Sequence, residues 1–116
     1  MANRRMLSRA VCESDDFYDL SFSARALYLQ FCLTADDDGF VNSPKGEIRH
    51  CGCTIADMEE LIECGYLIQF DSGVVCIRHW KVNNSIQKDR YTPTVHTNEK
   101  EELIEIDKVY FLHDFG

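Results

Sequence analysis

Apolar residues recur at helical spacing from residue 24 to residue 33, directly after two serines, Ser21 and Ser23, that can act as N-caps. An acidic turn, Asp36-Asp37-Asp38-Gly39, ends this predicted helix, and Phe40-Val41 follows as a minimal strand. The three aspartates lack the D-x-[DN]-x-[DN]-G spacing of a calcium loop. We therefore expect them to form a solvated turn between the helix and the strand.

Two short helices and a hairpin are predicted next. The helices cover 45–51 and 54–64, and each follows a serine or threonine that can start a helix. Segments 66–70 and 74–79 have the apolar content of strands, and Asp71-Ser72-Gly73 between them is a hairpin turn signal.

The order helix, short strand, helix, glycine-containing turn, helix and hairpin is that of a winged helix-turn-helix. We therefore predict an α+β fold, with a winged-helix domain over residues 1–98 whose β-hairpin is the wing. The remaining residues, 99–116, are acidic and then apolar, and we expect a C-terminal tail that forms a strand or a docking segment.

Length and composition are those of one globular domain. The chain has 116 residues, and no apolar run reaches the roughly 18 residues of a membrane span. The basic N-terminus is not followed by the apolar stretch of a signal peptide, so we expect a cytoplasmic protein. No P-loop, nucleophile-elbow or H-E-x-x-H motif is present. We predict a protein that is not an enzyme and that needs no cofactor.

The six cysteines are interpreted as reduced thiols. Most of them lie in or beside apolar runs, where free cysteine behaves as a small hydrophobe. Cys51 and Cys53, with His50 and Cys64, form the best metal candidate in the sequence. They lack the paired spacing of structural zinc sites, so reduced thiols are favoured over a metal.

Charge is unevenly distributed along the chain. The formal net charge is −8, yet residues 78–94 hold four cations against one acid, together with Trp80, the only tryptophan. Cations, flat rings and amide groups are what proteins use to hold phosphates and bases. The candidate DNA contacts are Lys45, Arg49, Arg78, Lys81, Asn83, Asn84, Lys88 and Arg90.

Each of these candidates has a structural alternative. Asn83 and Asn84 can satisfy a turn instead of a base edge, because asparagine is a common turn residue. We favour a core position for Trp80 over stacking on a base. For the basic segment as a whole, a structural role and a DNA-binding role are equally compatible with the sequence.

The predicted helix 54–64 is acidic on its polar side. In a helix-turn-helix the second helix normally enters the major groove, but here its polar residues include four acids and no cation. Phosphates repel such a surface, so we expect either a solvated face or a site for a basic protein partner. The four acids, which are the candidate protein-interaction residues, are Asp57, Glu59, Glu60 and Glu63.

Several motifs resemble one protein family. The run Ala35-Asp-Asp-Asp-Gly-Phe-Val-Asn-Ser-Pro-Lys45, the segment Trp80-Lys-Val-Asn-Asn84 and the run Lys88-Asp-Arg-Tyr-Thr-Pro-Thr94 carry the resemblance. They are similar to the N-terminal winged-helix domain of phage and prophage replisome organisers, which are related to DnaD-type primosome proteins. The resemblance covers about residues 1–98.

This resemblance implies a module for the initiation of phage DNA replication. It implies binding to duplex or single-stranded DNA, contact with a helicase loader or another primosome protein, and self-association into a homo-oligomer. Members of the family usually carry a further C-terminal domain. The alternative interpretation is an acidic winged-helix module that does not bind DNA and instead contacts a host factor or mimics DNA.

Overall fold

The computed structural model describes residues 4–112, which form an α+β fold with two small antiparallel sheets. The described helices are α1 Arg9–Cys12, α2 Asp15–Tyr18, α3 Phe22–Thr34, α4 Pro44–His50, α5 Ile55–Glu63, α6 Trp80–Asn83 and α7 Thr97–Glu101. The described strands are β1 Phe40–Val41, β2 Leu67–Gln69, β3 Val75–Ile77, β4 Leu103–Ile106 and β5 Val109–Leu112. None of these helices is long and apolar enough to cross a membrane.

The first sheet has three antiparallel strands in the order β1-β3-β2. Phe40 of β1 pairs with Cys76, and Leu67 of β2 pairs with Ile77, so β3 is the central strand. The turn between β2 and β3 contains Gly73, whose φ of 90° is rarely adopted by residues with a side chain. The predicted short strand and the predicted hairpin are both confirmed.

The predicted helices form close to their expected bounds. Ser21 is the N-cap of α3, and its hydroxyl accepts a hydrogen bond from the backbone N–H of Ala24 at 3.1 Å. Thr54 precedes α5, and its backbone N–H donates to the Asp57 carboxylate at 2.8 Å. This reciprocal arrangement at the first turn of α5 is a capping box. Local signals therefore start both helices.

The core lies between α3, α5 and the three-stranded sheet. Phe17, Tyr28 and Tyr66 pack edge to face, with ring centroids 5.5–5.7 Å apart. Trp80 is only 1% exposed, and its indole N–H donates to the backbone carbonyl of Asp37 at 2.9 Å. The prediction that Trp80 is a core residue is confirmed.

The prediction of a solvated turn at Asp36, Asp37 and Asp38 is wrong. Asp37 is 4% exposed and Asp38 is 2% exposed, because residues distant in sequence neutralise and cover them. Arg5 lies 3.0 Å from the Asp37 carboxylate. The Tyr91 hydroxyl donates to Asp38 at 2.7 Å.

This buried acidic turn joins three parts of the chain. The backbone N–H of Thr94 donates to Asp38 at 2.9 Å, and Lys100 Nζ lies 3.2 Å from the same carboxylate. The backbone N–H of Thr92 donates to Asp37 at 3.0 Å. The turn therefore anchors segment 91–94 as well as the N-terminal Arg5.

Residues 99–112, the described part of the predicted tail, fold back onto the domain. The apolar run 103–111 is divided into β4 and β5 by a two-residue turn, Asp107 and Lys108, so it forms a hairpin instead of one strand. Tyr110 is buried, and its hydroxyl donates to the Asp38 carbonyl at 3.1 Å. Its backbone N–H donates to the Arg78 carbonyl at 3.0 Å.

Candidate nucleic-acid interface

Two cations on α4 face a groove beside the β2–β3 hairpin. Lys45 and Arg49 are four residues apart, so both project from the same side of the helix. They line an open groove of about 550 Å³ whose far wall is the β2–β3 turn at 72–74. Both side chains are exposed, and within residues 4–112 neither has an ion-pair partner. They are free to contact an external anion.

The strand pairing explains why α4 and the β2–β3 turn are neighbours. Val41 at the end of β1 pairs with Val75 at the start of β3, so the start of α4 lies beside the hairpin turn. Asn42, Ser43 and Ser72 complete the polar lining of the groove. These three residues could not be predicted from the sequence, because their nearness to Lys45 depends on the pairing of distant strands. One acid is close, since the Ser72 hydroxyl donates to Glu99 at 3.1 Å.

The side chains of Arg78 and Lys81 both contact the β4–β5 hairpin. Arg78 Nη1 donates to the Tyr110 carbonyl at 3.2 Å, and its guanidinium lies 5.5 Å from the Phe111 ring centroid. Lys81 Nζ lies 2.6 Å from Glu105 on β4. Both side chains therefore hold the β4–β5 hairpin against the domain, and we leave them out of the interface.

Asn83 and Asn84 are buried, with 4% and 7% of their surface exposed. The Asn83 side-chain oxygen accepts from the backbone N–H of Ser8 at 2.9 Å, and its amide nitrogen donates to the Tyr28 hydroxyl at 3.0 Å. The Asn84 side-chain oxygen accepts from the backbone N–H of Met6 at 2.8 Å. These bonds attach the N-terminal segment to α6 and both side chains are buried, so neither projects from the surface towards a base edge.

Lys88 and Arg90 are exposed on the loop after α6, and no ion pair to another residue of 4–112 involves either of them. The next residue, Tyr91, is fixed to Asp38, which precedes β1. Lys45 follows β1 at its other end. The eight predicted DNA contacts therefore do not act together: Lys45 and Arg49 line the groove after β1, whereas Lys88 and Arg90 belong to the loop that Tyr91 anchors before β1.

Two of the four acids of α5 accept hydrogen bonds from the rest of the domain, and the other two are exposed. Asp57 is buried, and its carboxylate accepts from the Ser23 hydroxyl at 2.6 Å; this bond and those from Thr54 lower the pKa of Asp57 despite its burial. Glu60 accepts from the backbone N–H of Ser21 at 2.8 Å. Glu59 and Glu63 are exposed. Only these last two present free carboxylates on the outer face of α5.

The cysteines do not assemble a metal centre in the described part of the chain. Within residues 4–112 no group of three or more His, Cys, Asp or Glu side chains is placed to hold a metal ion. Cys51 and Cys53 are half-buried free thiols, and Cys64 is exposed. Burial, followed by the neighbouring Cys51, raises the pKa of the Cys53 thiol to about 11, so it remains protonated at neutral pH.

Comparison of the chain with protein-family models, with curated proteins and with solved structures finds no match. Function must therefore be inferred from the side chains themselves. Exposed cations that form no ion pair within residues 4–112 are the best indication of a surface that binds an anionic ligand. Among the predicted DNA contacts, these cations are Lys45, Arg49, Lys88 and Arg90.

Proposed function

We propose that this chain is a winged-helix module that binds the phosphate backbone of DNA in the groove between α4 and the wing. The observation that carries the proposal is the pair Lys45 and Arg49, which faces this groove and forms no ion pair within residues 4–112. Two cations one helical turn apart match successive phosphates, and their binding releases condensed counterions. The side-chain amide of Asn42 adds a neutral donor to the same surface.

The winged-helix assignment is supported by the order of the elements and by the sheet. A helix, a short strand, two helices and a hairpin follow one another, and β1 pairs with the second strand of the hairpin. In this arrangement α5 occupies the place of the helix that normally enters the major groove. Glu59 and Glu63 on its exposed face disfavour that insertion, so we place the DNA against α4 and the wing.

The biological role follows from the resemblance to phage and prophage replisome organisers. We place the module in the initiation of phage DNA replication, where it joins DNA to a helicase loader and self-associates. Support comes from residues that carry the resemblance and also fix the fold here, among them Asp38, Gly39, Tyr91 and Thr94. Asn83 and Asn84 belong to the same group of structural residues.

Fluorescence anisotropy with a labelled duplex tests the proposal. At low salt we expect binding that weakens about tenfold when Lys45 and Arg49 are both replaced by alanine, since each phosphate contact contributes to the electrostatic term. The matched control is Lys88→Ala with Arg90→Ala, which removes the same charge at the other end of β1. No binding at low salt, or equal losses in the two double variants, contradicts the proposed groove. A labelled single strand measured in parallel gives the strand preference.

A second function is favoured by the exposed acids of α5 and the net charge of −8. Glu59 and Glu63 form a negative face that suits a basic protein, so the module would contact a host factor without DNA. Isothermal titration with a purified helicase loader tests this function. Binding that is lost in Glu59→Gln with Glu63→Gln, together with no DNA binding by the wild-type chain, favours the second function over the first.

A further inference from the structure

A separate cavity lies at the far end of β1, between the loop after α6 and the β4–β5 hairpin. It has a volume of about 330 Å³, at the lower end of the range for small-molecule sites. Asn84, Ser85 and Ile86 line one side, Lys108 lines another, and Trp80 contributes to the floor. The lining therefore combines hydrogen-bond donors, a cation and apolar surface.

The charges around this cavity leave one cation in excess. Lys81 Nζ lies 2.6 Å from Glu105, so these two lining charges neutralise each other. Lys100 Nζ likewise lies 3.2 Å from Asp38. No ion pair within residues 4–112 involves Lys108.

The third acid of the lining, Asp37, is neutralised by Arg5, which does not itself line the cavity. Arg5 lies 3.0 Å from its carboxylate and donates a second bond to the Ala35 carbonyl at 2.7 Å. All three acids of the lining are therefore paired, and the positive charge of Lys108 is the one that remains for a ligand. The lining holds three cations and three acids, and because Arg5 pairs with Asp37 from outside the lining, Lys108 keeps its charge for an anionic ligand.

Asn84 supplies an unused donor in the same lining. Its side chain is 7% exposed and its oxygen accepts from the backbone N–H of Met6, but its buried amide nitrogen has no partner within residues 4–112. A buried donor without an acceptor is costly, and in native structures such a group commonly faces a ligand or an ordered water. An acceptor bound in the cavity would satisfy it.

The backbone at Lys108 is a third indication. Asp107 and Lys108 form the two-residue turn of the β4–β5 hairpin, with φ of 52° and 67°. This turn type strongly prefers glycine at its second position, where a lysine is strained. Strained residues cluster at functional sites. The strain is accounted for if the Lys108 side chain is needed at the cavity it lines.

We infer that this cavity binds a small organic anion carrying a phosphate or carboxylate group, held by Lys108 and the Asn84 amide. Ser85 can donate a further hydrogen bond from its hydroxyl, and Ile86 offers apolar contact to the rest of the ligand. The site is independent of the α4–wing groove, which lies at the other end of β1 and shares no lining residue with it.

Trp80 makes the test direct, because it is the only tryptophan and lines the cavity. Its fluorescence is recorded during titration with inorganic phosphate and, separately, with succinate, at constant ionic strength. A saturable change with at least one of the two probes is expected. No saturable change with either probe would overturn the inference.

Two variants connect the signal to the proposed donors. Lys108→Gly removes the cation and places the preferred residue in the turn, so the fold is retained. Asn84→Asp keeps an acceptor for Met6 but replaces the donor by a carboxylate oxygen. Each variant should weaken binding of the probe by about tenfold or more, the usual effect of losing a hydrogen bond to a charged group. An unchanged affinity in Lys108→Gly would overturn the inference even if Asn84→Asp fails to fold.

The control is the double variant Lys45→Ala with Arg49→Ala, which should bind the probe as the wild type does. This variant is also the one expected to lose affinity for DNA. Unchanged affinity for the probe therefore separates the cavity from the DNA-binding groove. The phosphate titration of the wild-type protein is then repeated in the presence of saturating duplex. Unchanged phosphate affinity supports a free small molecule as the ligand, whereas competition would show that the cavity serves a DNA phosphate and would overturn the small-molecule assignment.

Discussion

Gly39 is the position where one added methyl group should be most damaging. Its φ is 91°, and a Cβ built there would lie 2.6 Å from Trp80 Cγ and 2.7 Å from Trp80 Cβ. Gly73 in the β2–β3 turn has almost the same φ, 90°, but a Cβ there meets nothing within 4 Å. Gly73→Ala is therefore a matched control that shares the conformational cost and lacks the collision.

The expected free energies differ by the cost of the collision. Placing alanine at a positive φ costs about 1–2 kcal/mol, which applies to both variants. Overpacking against a fixed indole adds about 1–3 kcal/mol for Gly39→Ala alone. Trp80 cannot easily withdraw, because it is 1% exposed and its N–H is bonded to the Asp37 carbonyl. We expect Gly39→Ala to lose about 2 kcal/mol more than Gly73→Ala.

Urea unfolding followed by Trp80 fluorescence measures both values. A difference of about 2 kcal/mol corresponds to roughly 8 °C in Tm for a domain of this size. The wavelength of the Trp80 emission should also shift in folded Gly39→Ala, because the added methyl group displaces the indole ring. Equal stabilities for the two alanine variants would refute the packing of Trp80 against Gly39.

Three further outcomes are expected. Asp38→Asn should cost about 2–3 kcal/mol in urea unfolding, because buried donors lose a charged acceptor, whereas Asp89→Asn on the exposed loop should change stability by less than about 0.5 kcal/mol. Lys108→Gly should raise the free energy of unfolding by about 1 kcal/mol by relieving the positive φ, and a loss would contradict the turn geometry. The lowered pKa of Asp57 gives stability that is present at neutral pH and is lost as the pH falls below 3.8, the ordinary value. Asp57→Asn should therefore be less stable than wild type at pH 7, and the difference should shrink in urea unfolding at pH 3.

Local signals predicted much of the fold. Ser21 starts α3 through its side chain, Thr54 starts α5 within a capping box, and Gly73 sits in the predicted hairpin turn. These features act over three or four residues, so the sequence is sufficient to read them. The hairpin of β4 and β5 was not predicted, because Asp107-Lys108 is not a turn signal and the strands on both sides are apolar.

Burial of polar groups could not be predicted, because it depends on partners far away in sequence. Asp38 is paired with Tyr91 and Lys100, which lie more than fifty residues later. Asn83 and Asn84 accept from backbone groups near the N-terminus. A run of three aspartates and a pair of asparagines look solvated until those partners are known. The exposed cations were found from the sequence, but their separation into two pairs follows only from the strand pairing.

The salt dependence of duplex binding tests the central claim most directly. The slope of log K against log salt reports the number of phosphates contacted, at about 0.9 per contact on duplex DNA. Replacing Lys45 and Arg49 together by alanine should reduce the slope by about 1.8, whereas replacing Lys88 and Arg90 should leave it almost unchanged. A wild-type slope near zero, or an unchanged slope in the Lys45 and Arg49 variant, would contradict DNA binding in the groove between α4 and the wing.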